Sequence, residues 1–123
     1  SYYTGILELN GDHNLVSGNI FWMKNSSSQL QDRDADYGVI RVEGNSNQIS
    51  ANTIKCDWNS AVSDPVTIRS ASGQNNTYSN LTITDQTSSK VFYVNETSRI
   101  LDCVSASNVL VDGNPSGVYI RYE

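Results

Sequence analysis

The chain is poor in the residues that carry most protein chemistry. Its 123 residues include one histidine, two cysteines, two prolines and one methionine. With His13 as the only histidine, no His-rich metal site can form. Cys56 and Cys103 lie far apart and make no C-x-x-C pair, which excludes the usual structural zinc site. A single disulfide between them is geometrically possible, but the plain reading is two small apolar core residues. A conventional nucleophilic triad would need His13 as its base, and His13 sits in the turn-like stretch Gly11-Asp12-His13-Asn14. Charge is also scarce. Eight Lys and Arg face thirteen Asp and Glu, for a net charge of −5, which argues against a nucleic-acid partner. No apolar run approaches the ~20 residues that span a bilayer, and no signal-peptide pattern opens the chain, so no membrane partner is expected.

Small polar residues fill the gap. Ser, Asn and Thr number 18, 14 and 8, and all three are weak helix formers, which argues against a helical bundle. Sequons for N-glycosylation fall at Asn25, Asn75, Asn80 and Asn95, but in so polar a chain they arise by chance.

A repeat is the main signal. The run Gly5-Ile6-Leu7-Glu8-Leu9-Asn10-Gly11-Asp12-His13-Asn14-Leu15-Val16-Ser17-Gly18-Asn19 aligns without a gap on Gly38-Val39-Ile40-Arg41-Val42-Glu43-Gly44-Asn45-Ser46-Asn47-Gln48-Ile49-Ser50-Ala51-Asn52. A looser copy runs from Val66-Thr67-Ile68-Arg69 to Ser79-Asn80, and a weaker one begins at Val91-Phe92-Tyr93-Val94. Each unit is a set of short β-branched runs between Gly, Asn, Asp and Ser, with no stretch of helical period. Stacked all-strand repeats of this length predict an all-β fold, a parallel β-helix of about four coils spanning 1–123. An antiparallel β-sandwich explains the turns but not the ungapped repeat.

The stacking makes specific demands. Leu7 and Leu9 should share the inner face with Ile40 and Val42, and with Ile68 and Ser70. Glu8, Arg41 and Arg69 then align on the outer face, where opposite charges attract by ~0.2–1 kcal/mol. Asn14, Asn47 and Asn75 should stack at one bend, with Gly11 and Gly44 at the same corner, where positive φ costs glycine little. Each end of such a solenoid exposes a strand edge, so the segment is expected to form part of a longer β-helix or to be covered by other subunits.

The second of these units, Tyr37-Gly38-Val39-Ile40-Arg41-Val42-Glu43-Gly44-Asn45-Ser46-Asn47-Gln48-Ile49-Ser50-Ala51-Asn52, resembles the late coils of inulin fructotransferases, glycoside hydrolase family 91. Gly5-Ile6-Leu7-Glu8-Leu9 with Leu15-Val16-Ser17-Gly18-Asn19 resembles the coil before it, and Ser98-Arg99-Ile100-Leu101-Asp102 resembles the closing segment. The likeness spans most of the chain but only the C-terminal part of such an enzyme. It implies a right-handed parallel β-helix that assembles as a homotrimer and acts on a fructan, an oligo- or polysaccharide. The implied reaction cuts a fructose disaccharide from the chain end and closes it into a cyclic dianhydride, with no metal or organic cofactor; some relatives hydrolyse that dianhydride. The paired carboxylates of this family belong to upstream coils, and no position here matches them, so the catalytic residues are unknown.

Candidate binding residues can still be named. The loop Gln31-Asp32-Arg33-Asp34-Ala35-Asp36 is the most charged stretch; its plain reading is a solvated or trimer-facing loop, and Asp36 is the residue to test first. Its aspartates lack the EF-hand spacing of a calcium loop. Trp22 and Trp58 follow matched turn asparagines and can share one flank of the stack, where aromatic faces suit sugar rings; subunit packing is the plain alternative. Arg41, Arg69 and Arg121 read as a surface ion ladder, with an anionic glycan as the sharper alternative. A second class of function is open to the same coils: a trimeric phage tail-spike or adhesin segment that binds glycan without turnover, or a purely structural assembly module. An extracellular or virion-surface location is expected rather than a cytoplasmic one.

Overall fold

A computed structural model of the chain describes residues 6–24, 38–57, 66–70, 72–85, 90–104, 110–111 and 120–122. Short β-branched runs form the strands, and each coil contributes one strand to each of three sheets. The first coil holds β1 (Leu7–Leu9), β2 (Leu15–Ser17) and β3 (Ile20–Lys24). The second holds β4 (Ile40–Val42), β5 (Gln48–Ser50) and β6 (Thr53–Asp57). The third holds β7 (Val66–Ser70), β8 (Thr77–Ser79) and β9 (Thr82–Asp85). The fourth holds β10 (Lys90–Val94), β11 (Arg99–Leu101) and β12 (Cys103–Val104), followed by β13 (Leu110–Val111) and β14 (Ile120–Tyr122). The sheets run β1-β4-β7-β10-β14, β2-β5-β8-β11 and β3-β6-β9-β12-β13. Among the described strands, every pairing is parallel except β12 with β13. The fold is a parallel β-helix, and the sandwich alternative fails on strand direction.

Inner columns form the core. Leu7, Ile40, Ile68 and Phe92 pair in register up the first sheet. Val16, Ile49, Tyr78 and Ile100 do so in the second, and Phe21, Ile54 and Ile83 in the third. Ile40, Ile49, Ile54, Ile68, Tyr78 and Phe92 are fully buried, and each such aliphatic or aromatic side chain contributes about 1.5–3 kcal/mol. Tyr78 and Phe92 meet edge to face at 5.7 Å between ring centres. Both cysteines are free and buried in this core, as the apolar reading required. The outer column of the first sheet runs Glu8, Arg41, Arg69, Tyr93. Arg41 pairs with Glu43, and the Arg69 guanidinium lies over the Tyr93 ring at 4.2 Å.

The corner between the first two sheets is held by buried amides. Asn47 Oδ1 accepts from the Asn14 backbone N–H, and Asn47 Nδ2 donates to the Gly11 carbonyl. Asn76 repeats both bonds one coil on, to the Asn47 N–H and the Gly44 carbonyl. The column is therefore Asn14, Asn47, Asn76, and the expectation of Asn75 is corrected by one residue. The physical reason is length: the corner at 71–76 is one residue longer than the corner at 43–47. Asn75 instead takes the left-handed position just before the column, with φ 58°, above Ser46 at 55° and His13 at 56°. In the fourth coil Ser98 falls on the column, and the amide donor comes from Asn95, which reaches the Gly73 carbonyl. An outer ladder reinforces the corner, with Asp12 accepting from the Asn45 N–H and Asn45 from the Gln74 N–H.

The glycines do stack here, but not for positive φ, which falls on neither Gly11 nor Gly44. A Cβ on Gly44 would collide with the Gly11 carbonyl, and one on Gly73 with the Gly44 carbonyl. Close backbone approach is what excludes a side chain. The second corner is tighter. Its left-handed positions are Gly18, Ala51, Asn80 and Asp102. Asn52 Oδ1 accepts from the Asn19 N–H and Asn52 Nδ2 donates to the Val16 carbonyl. Two coils on, the Cys103 thiol lies 3.6 Å from the Tyr78 carbonyl, in the place of that amide donor. Register offsets along the first sheet shrink from 33 to 28 to 24 residues, which blurs the repeat beyond the second coil.

Two stability tests follow from the corners. Asn47→Ala removes a buried donor and acceptor together and should cost about 2–4 kcal/mol in urea unfolding. Asn47→Asp keeps the acceptor but sets a carboxylate oxygen against the Gly11 carbonyl, so it should be no better at pH 7. Ala51 holds φ 55° with no side chain to compensate. Ala51→Gly should therefore stabilise by about 0.5–1 kcal/mol, the relief of left-handed strain exceeding the entropy that glycine adds to the unfolded chain.

Candidate functional site

Alternation fixes which residues leave the core. In β3, Phe21 and Met23 face inward, so Ile20, Trp22 and Lys24 face out. Trp22 is 57% exposed and Ile20 80% exposed, an unusual pair to leave in water. The register of the third sheet places Lys55 of β6 beside Trp22, and Asp57 beside Lys24. The Trp22 indole N–H donates to Asp57 Oδ2 at 3.0 Å. The Lys55 ammonium sits over the indole ring, 4.8 Å from its centre. A tryptophan is thus pinned at its polar edge and capped by a cation, with exposed Thr53, Thr82 and Thr84 on the same outer face.

Chemically, this face can stack a ring and bond hydroxyls. Among the described residues it carries one carboxylate, Asp57, whose Oδ2 is engaged by the indole. Among the described residues, no three His, Cys, Asp or Glu gather where they could hold a metal ion. Of the sequence-derived binding residues, the structure places Trp22 here. Asp36 and Trp58 lie outside the described residues, although Trp58 directly follows the end of β6 in the chain. Sequence reasoning missed Lys55 and Asp57. The ungapped offset contained the signal, because adding 33 to Trp22 gives Lys55.

The stacked coils and polar corners define the class, a parallel β-helix protein. A comparison with family models matches residues 25–119 to the beta helix repeat of inulin fructotransferase. The match covers most of the chain, which therefore belongs to the inulin fructotransferase β-helix repeat family. It begins just after β3, so the coil bearing Trp22 precedes the matched residues and stacks in register on the second coil. Searches of curated proteins and of solved structures gave no match.

The most displaced titratable groups among the described residues lie in the core rather than on this face. Burial holds the Tyr78 phenol well above its ordinary range. Burial also pushes the Cys103 thiol up to about 11 from 9.0, partly opposed by hydrogen bonds to backbone. Both groups fold in their neutral form. Above pH 9 the unfolded chain loses protons that the folded chain keeps, so stability falls as pH rises. The unfolding midpoint in urea should hold between pH 7 and 8.5 and decline progressively from 9 towards 11, and Cys103→Ala should make that decline shallower.

Proposed function

We propose that the chain is part of a fructan-acting fructotransferase of glycoside hydrolase family 91. In this reading the segment serves as scaffold and as a wall facing neighbouring subunits of a homotrimer, outside the cytoplasm, within a longer β-helix. The reaction is intramolecular fructosyl transfer. An acid protonates the leaving glycosidic oxygen at the end of an inulin-type fructan, and a hydroxyl of the departing disaccharide attacks the anomeric carbon as a base takes its proton. The product is a difructose dianhydride, and no water is consumed. The acid and base come from other coils. Trp22, Trp58 and Asp36 are the residues proposed to touch substrate.

The family match over residues 25–119 carries this reading. The pinned indole on the outer face supports it, because aromatic faces pack well against the C–H faces of sugars. The test is to incubate the full-length protein with inulin and separate the products. Difructose dianhydride is the expected product. A folded protein that releases none, or that binds inulin without turnover, overturns the assignment.

A further inference from the structure

Trp22 is more than half exposed, yet two groups of the next coil hold it. An exposed tryptophan normally samples several rotamers, and ordering one on binding costs free energy. Here that ordering is already done. Asp57 fixes the indole edge through a charge-assisted hydrogen bond, and Lys55 covers part of one ring face. Neither contact consumes the whole ring, and more than half the residue stays open to solvent. The surround is mixed: Ile20 is exposed on the same strand and face, and Thr53, Thr82 and Thr84 are exposed on the neighbouring strands. A stiff aromatic plane with an apolar neighbour in Ile20, one ammonium and threonine hydroxyls to one side suits a sugar ring, whose C–H face is apolar and whose edge is a ring of hydroxyls.

We infer that Asp57 and Lys55 are positioning residues that hold Trp22 as a preset stacking platform for a fructosyl unit. This rests on the fructan-acting reading above. The platform is built from two coils, so it exists only while the first coil is stacked in register on the second. Asp57 then acts through the indole and not on the sugar.

The test uses the full chain and a short inulin-type fructo-oligosaccharide, read by the indole N–H signals in nitrogen-correlated NMR. Trp22→Phe identifies the Trp22 signal. That signal should lie downfield, exchange slowly with water, and shift on titration with the oligosaccharide. Asp57→Ala should move it upfield, speed its exchange and raise the Kd about five- to tenfold, the weight of one hydrogen bond, with the melting temperature little changed. Asp57→Asn retains an acceptor oxygen and should recover most of the affinity. If Trp22→Ala abolishes binding while Asp57→Ala binds like wild type, the positioning role is overturned and the fructan reading stands. If Trp22→Ala also binds like wild type, the platform itself is wrong. A wild-type Trp22 signal that ignores saturating oligosaccharide, or that responds only to protein concentration, overturns the platform; full-length protein that neither binds nor converts inulin overturns the fructan reading.

Discussion

A buried side-chain amide that reaches back into the preceding coil is the interaction on which this structure depends. Parallel strands hydrogen-bond well along their length, but a solenoid must also turn, and each turn leaves backbone groups without a ladder partner. Asn47 and Asn76 solve this at the first corner. Each offers one acceptor and one donor, and both point down the stack. Asparagine suits the task because its amide carries both functions on a short, stiff stem. With the corners satisfied, the three sheets stay in register, and the inner columns can bury isoleucine on isoleucine.

The same ladder explains why so polar a chain folds. Asn47, Asn52 and Asn76 are buried almost completely, a location that would be costly without partners. Each has partners in the coil below. Where the ladder changes residue, its function passes to a neighbour. Ser98 stands on the asparagine column of the fourth coil, and Asn95 supplies the missing donor three residues earlier. On the second corner, Leu81 interrupts the amides and the Cys103 thiol takes up a backbone carbonyl. Among the described residues the asparagines thus gather at the corners, while the core remains apolar.

Much of this was legible in the residues. The offset between the first two units is ungapped, so Leu7 over Ile40 and Glu8 over Arg41 could be read directly. Later coils were harder, because one extra residue at 71–76 moved the asparagine column from Asn75 to Asn76. The role of Gly44 was misjudged for another reason. A glycine chosen for positive φ and one chosen for close approach look alike in sequence, and only the position of the Gly11 carbonyl separates them. The outer site was half visible: Trp22 stood out as an aromatic, whereas Lys55 and Asp57 look like ordinary surface charges until the coils are stacked.

The central claim is that the asparagine side chain of one coil satisfies the backbone of its neighbour. Native-state hydrogen exchange at the Asn14 amide tests it most directly, because Asn14 is an exposed residue whose N–H is bound to Asn47 Oδ1. The account predicts strong protection of that amide in the wild-type chain and its selective loss in Asn47→Ala, with core amides such as Ile68 still protected. An Asn14 amide that exchanges at the rate of a free peptide in the folded wild-type chain would contradict it.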